Sequence, residues 1–461
     1  MKLTNLFRDT REALAALDVK ECSRSLYFDR FSRPDLEKDP RKQFFTDGFK
    51  AHAYRDRAKS WDAWLGDSGL GLKPADILYA QLQSRLMVNM AGGVMENAGL
   101  CLDRFGLPYI PGSAVKGCAR RAALAALREW CELGEKPHGL DNLFTSACKP
   151  FASPSEMLSA VARVFGWSEQ DWSNKKKDGR FVSDFAWACD PAGSPASAPT
   201  APTGQTNTAQ GNALGESPDT NLSPERAIPI TTAGWPAIRA ETLQHLAIAP
   251  APCAAPEDGG IRLKHFAGRV SFLPAYPVSL PSGKQEGLPV MVPELGQMEL
   301  DVVTCHHGDY YSSDTPNTMA TDTEDPIPVF LPAIAAGHIF SFAVLPLRNC
   351  PADLLKWART WLACGLPAFG IGAKTAAGYG WFEGSDAAQL TIAKLLERQQ
   401  KDEATRRHLA KEAVDQKARE DAERVRRERL KVETAFLSPE EKEDYQLASL
   451  NDDQFRGALN N

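Results

Sequence analysis

The stretch GLPAFGIGAKTAAGYGWF, residues 365–382, sets Gly370, Gly372, Gly378 and Gly380 around Lys374 and Thr375. Glycine lets backbone N–H groups come close to an anion, and lysine adds a positive charge, so phosphate is the chemistry such a segment suits. The two common mononucleotide loops do not fit. A Walker A loop requires Gly-Lys-Thr, and here Ala373 separates Gly372 from Lys374 and Thr375. A dinucleotide fingerprint follows a strand and opens a helix, whereas this segment follows a helical pattern and enters a short apolar strand.

A second anion-friendly stretch is GLPYIPGSAVKG, residues 106–117. Gly112 and Ser113 lead into a helix, where N–H groups are unpaired and the dipole is positive. Ser113 is the expected cap. Lys116 falls in the first turn and Arg120 one turn later on the same face. A lysine there opposes the dipole; a bound phosphate would compensate it, and so would simple exposure to water.

Two further clusters could act as acids or bases. CHHGDYY (305–311) pairs His306 with His307, but neighbours on a strand point to opposite faces, so they do not share a metal site. One of them could serve as a general base in RNA cleavage, or stack on or hydrogen-bond to a base. ENAGLCLDRFG (96–106) brings Glu96, Asn97, Asp103 and Arg104 together, and Asn and Asp in such a loop favour local backbone hydrogen bonds. No other histidine or cysteine spacing matches a hydrolase triad or a metal set, and no cofactor is expected.

The elements that must position these groups read as follows. Strand patterns cover 76–89, 268–277, 298–311 and 338–347, with GYGWF (378–382) last. A helix spans 113–131, with Val115, Ala119, Ala122 and Ala126 as its apolar stripe. A second helix spans 352–365 and ends at a glycine cap. Leaving out 298–311, the order is β-α-β-β-α-β, an α+β fold of ferredoxin-like (RRM-like) type. Residues 1–75 read as a mostly helical segment packing on a core of 76–383. A large insertion at about 135–262 interrupts that core, and its Pro-, Ala- and Ser-rich centre, 190–225, is expected to be disordered. From 384 to 461 the chain becomes a charged helical extension. It is either a solvated helix held by i,i+4 ion pairs or an arm for a partner. Ser438, Pro439 and Glu441 start a new helix with a capping box.

The whole chain has 461 residues, 43% hydrophobic and 24% charged, with a net charge of −6. That suits a soluble globular protein and argues weakly against nucleic-acid binding by the whole surface. Residues 1–130 nevertheless hold 21 Lys/Arg against 16 Asp/Glu, which leaves room for a basic face. Ten cysteines occur singly with no Cys-x-x-Cys pair, so neither disulfides nor a zinc ribbon is expected. No apolar run suits a membrane span or signal peptide, and a cytoplasmic location is expected.

Taken together, these residues resemble the RAMP superfamily of CRISPR-associated proteins. Its mark is a glycine loop, here Gly370 to Gly380, after the second helix of a ferredoxin-like fold. ENAGLCLDRFGLPYIPGSAVKG, GRVSFLPAYP, ELDVVTCHHGDYY and PIPVFLPAIAAGHIFSFAV follow in the order found in the sixth-subunit family of the Cmr, or type III-B, effector. The resemblance implies a non-catalytic backbone subunit that holds guide RNA (crRNA) by its sugar-phosphate chain near the 3′ end for target RNA recognition in antiviral defence. Other Cmr RAMP subunits would be its partners, and neither membrane nor metal would be involved. Carried onto this sequence, RNA contacts fall to Gly112, Ser113, Lys116, Arg120, His306, Gly370, Gly372, Lys374, Thr375, Gly378, Tyr379 and Gly380. The alternative is a metal-independent RAMP endoribonuclease that processes guide RNA, with a histidine such as His306 as base.

Overall fold

The computed structural model describes residues 12, 18–30, 38–54, 61, 64–65, 77–89, 100–134, 151–177, 180–190, 234–247, 265–305, 327–433 and 435–448. His306, His307, Glu96, Asn97 and, beyond Asp190, the rest of the 190–225 segment lie outside them. The chain divides into two units, 1–393 and 394–461.

In the first unit, α1 (Arg24–Arg30) and α2 (Lys38–Lys50) precede β1 (Leu78–Leu82) and α3 (Gly112–Leu133). Next come α4 (Pro154–Phe165), β2 (Gly166–Trp167), a 3-10 turn (Glu169–Trp172), β3 (Lys176–Lys177), β4 (Arg180–Phe181), α5 (Asp184–Cys189) and α6 (Trp235–Ala247). The strands β5 (Phe266–Ala267), β6 (Val270–Phe272), β7 (Tyr276–Pro277), β8 (Met298–Cys305) and β9 (Ile327–Ile334) follow. β10 (Ile339–Phe342), β11 (Val344–Pro346), α7 (Ala352–Phe369), a 3-10 turn (Thr375–Ala377) and β12 (Phe382–Glu383) complete the run before α8 (Asp386–Glu433).

The central sheet has the order β12-β1-β10-β7 and is antiparallel throughout. Leu78 lies opposite Phe342, and Leu82 opposite Phe382. One face carries Leu78, Ala80, Leu82, Phe340, Phe342 and Phe382, all buried in a core shared with α3 and α7. Burying such side chains is the main favourable term, at roughly 1.5–3 kcal/mol each. The other face is closed too. Gln81 is fully buried, its amide donating to Val290 O at 2.6 Å and Gly337 O at 3.2 Å. Tyr79 N donates to Gln389 Oε1 at 2.9 Å, and Ile339 and Ser341 are buried. Among the described residues, only Tyr79 and Tyr276 in the row through Ser341 remain half-exposed on that face.

Several boundaries differ from the sequence reading. Pro111, not Ser113, is the N-cap of α3, with no side-chain cap bond, because the helix already turns at Gly112 against β6. A β-carbon on Gly112 would strike the carbonyl oxygen of Phe272. α7 does not stop at Gly365 but runs to Phe369. Gly365 stays helical because it is the contact point with α3, where a β-carbon would sit 2.9 Å from both the carbonyl oxygen and Sγ of Cys118. The 268–277 strand is broken into β6 and β7, of which only β7 joins the central sheet. The 338–347 strand divides at Ala343 into β10 and β11. β8 and β9 form their own two-stranded ribbon, with Met298 opposite Ile334 and Cys305 opposite Ile327.

The described part of the insertion is not a separate body. Met157, Leu158, Trp172, Phe185 and Trp235 share the same buried cluster as the sheet and α3. Ser153 caps α4 by accepting from Glu156 N at 3.3 Å, with Pro154 in the first turn. α8 begins inside the first unit, where Ala388 and Ile392 are buried.

In the second unit, the exposed remainder of α8 carries the expected i,i+4 pairs, Glu397–Lys401 at 2.8 Å and Glu423–Arg427 at 2.5 Å. α9 (Pro439–Ala448) opens with the expected reciprocal box, Ser438 N donating to Glu441 Oε2 at 2.9 Å and Glu441 N to Ser438 Oγ at 3.4 Å. No described helix is long and apolar enough to cross a membrane.

Candidate nucleic-acid interface

The glycine loop starts where α7 ends and lies on the residues that follow β1. Ala373 N donates to Met87 O at 2.8 Å, and Gly380 N to Arg85 O at 2.8 Å. Across the loop's own neck, Ile371 N donates to Gly380 O at 2.9 Å. Trp381 locks the far side, its Nε1 donating to Thr375 O at 3.0 Å and its N to Ser84 Oγ at 3.2 Å.

This packing explains most of the glycines. A β-carbon at 372 would strike Met87 O, one at 380 would strike Ile371 O, and one at 370 would lie 2.7 Å from Gly380 O. Gly378 is different: at φ +93° it needs a residue without a β-carbon, yet nothing lies within 4 Å of where one would be. Three glycines thus shape the loop, and the fourth leaves its outer surface bare. Lys374 adopts left-handed backbone angles (φ 57°, ψ 31°), a conformation costing of order 1 kcal/mol outside glycine. It stands at the head of the 375–377 turn. Among the described residues, no protein acceptor meets the N–H groups of Lys374, Thr375 and Ala376, and no carboxylate pairs with Lys374. Successive unpaired N–H groups beside a cation form a concave anion site.

Tyr379 is placed otherwise than its expected RNA contact suggests, because its hydroxyl donates to Asp301 Oδ2. Burial, then that bond, push its phenol up to about 12. Arg85 completes the arrangement, donating to Glu299 Oε2 at 2.9 Å and to Asp301 Oδ1 at 3.0 Å. Those bonds hold the Arg85 guanidinium above its ordinary value, the Glu299 bond foremost. Arg85, Glu299 and Asp301 fasten the loop to the β8–β9 ribbon, and sequence reasoning missed them. The Arg85 pairs span 214 and 216 positions, a separation at which no local pattern signals a contact.

The start of α3 lies on a different cleft, of about 700 Å³. Gly112, Ser113, Lys116 and Arg120 all line it, so four of the expected contact residues come together there. Lys116 is half-buried and has no carboxylate partner among the described residues; burial, then Arg120 beside it, draw its ammonium below the usual lysine value. Arg120 is differently disposed from the sequence reading. Its guanidinium pairs with Asp171 at 2.9 Å and with Asp184, tying α3 to the insertion rather than standing free. Phe266 and Trp167, stacked at 4.3 Å, form an aromatic wall of the cleft. One residue beyond Arg120, Arg121 lies 4.5 Å over the ring of Phe369, so α3 reaches the residue that precedes Gly370.

Asp103 does local work. Its Oδ1 accepts from Phe105 N at 2.9 Å and Leu107 N at 3.0 Å, while burial raises its carboxyl above the ordinary range. Arg104 stacks on Phe105. Among the described residues, no group of three or more His, Cys, Asp or Glu side chains is arranged to hold a metal ion.

No family model and no curated protein matches the sequence. Among solved structures, the chain is similar to Cmr6 from Pyrococcus furiosus, at 20% identity and a TM-score of 0.27, over 67% of this chain and 97% of that one. It is also similar to a chain of the type III-B Cmr-beta complex bound to cognate target RNA, at 14% identity and a TM-score of 0.31, over 72% of this chain and 66% of that one.

Proposed function

We propose that this chain is a non-catalytic, RNA-binding backbone subunit of a type III-B CRISPR (Cmr) ribonucleoprotein, holding guide RNA by its sugar-phosphate chain near the 3′ end. The observation that carries this reading is the glycine loop, whose outer surface offers Lys374, three unpaired N–H groups and a bare Gly378 on a rigid base. Such a surface suits a string of phosphates and reads no base edge. The four ordered sequence motifs point to the same family. The sheet order β12-β1-β10-β7, with α3 and α7 on one face, supports a ferredoxin-like core of RAMP type. Guide RNA, target RNA and other Cmr subunits are the partners this assigns, in the cytoplasm.

The test is purification of the tagged full-length chain from its own host, with co-purifying proteins and RNA both identified. Several RAMP-like subunits with an RNA of discrete guide length are expected. Recovery of the chain alone with cleaved repeat RNA would overturn the reading in favour of a processing endoribonuclease. Recovery with no RNA would overturn both.

A further inference from the structure

We infer that the cleft between α3 and the insertion receives one nucleotide of a single-stranded RNA, its phosphate on Lys116 and its base against the Trp167–Phe266 wall, while the β3–β4 hairpin grips the adjoining backbone. This deepens the reading above and rests on it.

The cleft volume, about 700 Å³, lies within the ~300–1,000 Å³ typical of sites for small molecules, so it has room for a nucleotide and not for a duplex. Its chemistry is divided. Phe165, Trp167, Phe266 and Phe272 give it an apolar, aromatic side, and stacking on such a surface tolerates every base. Its charged side holds two cations and two carboxylates. Asp171 and Asp184 are both taken up by Arg120, which leaves Lys116 without a carboxylate partner among the described residues. One phosphate matches that remaining charge. A nucleoside triphosphate would bring more negative charge than Lys116 offsets, beside two carboxylates, so an ATP-type ligand is disfavoured.

The feet of the hairpin are the cleft wall itself. Asp171 lies in the turn before β3, and Asp184 opens α5 just after β4. Ser183 Oγ donates to Asp171 O, which ties the two feet together. Between them, Lys175, Lys176 and Lys177 are exposed. Lys175 stands four residues from Asp171, at most about 14 Å of extended chain. Backbone leaving the cleft therefore meets three ammonium groups carried by the same short element. A purely structural insertion would need no lysine run at the rim of a cleft that already holds the unpaired Lys116 of α3.

The experiment uses the full-length chain and a short fluorescein-labelled RNA containing 4-thiouridine, read by anisotropy across a salt series and by photo-crosslinking with mass spectrometry. Crosslinks at Trp167 or Phe266 are expected. Lys116→Gln should weaken binding about tenfold. Changing Lys175, Lys176 and Lys177 together to Gln should lower the salt slope by about two, at roughly 0.7 per single-strand phosphate contact. Lys374→Gln serves as the comparison at the glycine loop, and a thermal melt of each variant verifies its fold. If Lys374→Gln loses RNA while the cleft and hairpin variants bind as the parent does, without crosslinks in the cleft, the inference falls and the proposed function stands. If the parent chain binds no RNA, either alone or in the purified complex, both fall.

Discussion

His338 is held as one neutral tautomer. Its Nδ1–H donates to Ala335 O at 2.7 Å, and its Nε2 accepts from Gly296 N at 3.1 Å, inside a site that leaves it 2% exposed. A second proton would have to sit against the Gly296 N–H, and burial pulls the imidazole down to about 4 from an ordinary 6.5. Between these values the unfolded chain takes up a proton that the folded chain refuses, so stability falls as pH drops from 6.5 towards 4 and is untouched above 6.5. The loss approaches about 3 kcal/mol at 1.36 kcal/mol per pH unit. Urea unfolding of the parent and of His338→Gln at pH 7, 5.5 and 4 checks this. The variant should start lower but lose less over the same range, and parallel curves would refute the account. His338 also shows why some residues escape a sequence reading. Its partners are main-chain atoms, which carry no residue identity to recognise.

At the level of elements, α3, α7 and the strand that becomes β10 were legible because each carries its own periodicity, whereas β7 and β12 are only two residues long. Errors cluster where a residue does something non-local. Ser113 looks like a cap, but the fit of Gly112 beneath the Phe272 carbonyl starts the helix one residue sooner. Gly365 looks like a terminator, but it is a helix-crossing contact. The glycine loop reads in the sequence as suited to an anion; in the structure Gly370, Gly372 and Gly380 are required by the loop's own folding, and only Gly378 leaves open surface. Two substitutions separate these roles. Gly365→Val should destabilise by about 1–3 kcal/mol, because its added atoms meet the backbone of α3. Gly117→Ala, in the same α3 and with nothing within 4 Å of the new atom, should stabilise by about 0.5–1 kcal/mol. Chemical denaturation of both variants decides the matter, and equal effects would refute the packing account.

At the level of the whole molecule, the first turns of α8 belong to the first unit. Ile392 is fully buried and Ala388 nearly so, while Gln389 is bonded to β1. A chain ending at Ala393 should unfold at the same denaturant concentration as the full chain. One ending at Ser385 should lose about 2–5 kcal/mol, the range for emptying one large aliphatic site. Urea titrations of the two truncations test this, and a large loss from the longer one would place stabilising contacts beyond 393.

The central position of β1 has a consequence for synthesis. Both of its sheet neighbours come from the last quarter of the first unit, and Tyr79 and Gln389, which share a hydrogen bond, lie 310 positions apart. At roughly 5–20 residues per second, a ribosome needs about 15–60 s between making the two. For that time a strand destined for near-complete burial leaves the exit tunnel with neither edge covered. The nascent chain must be shielded, or remain on the ribosome, until its final strands arrive.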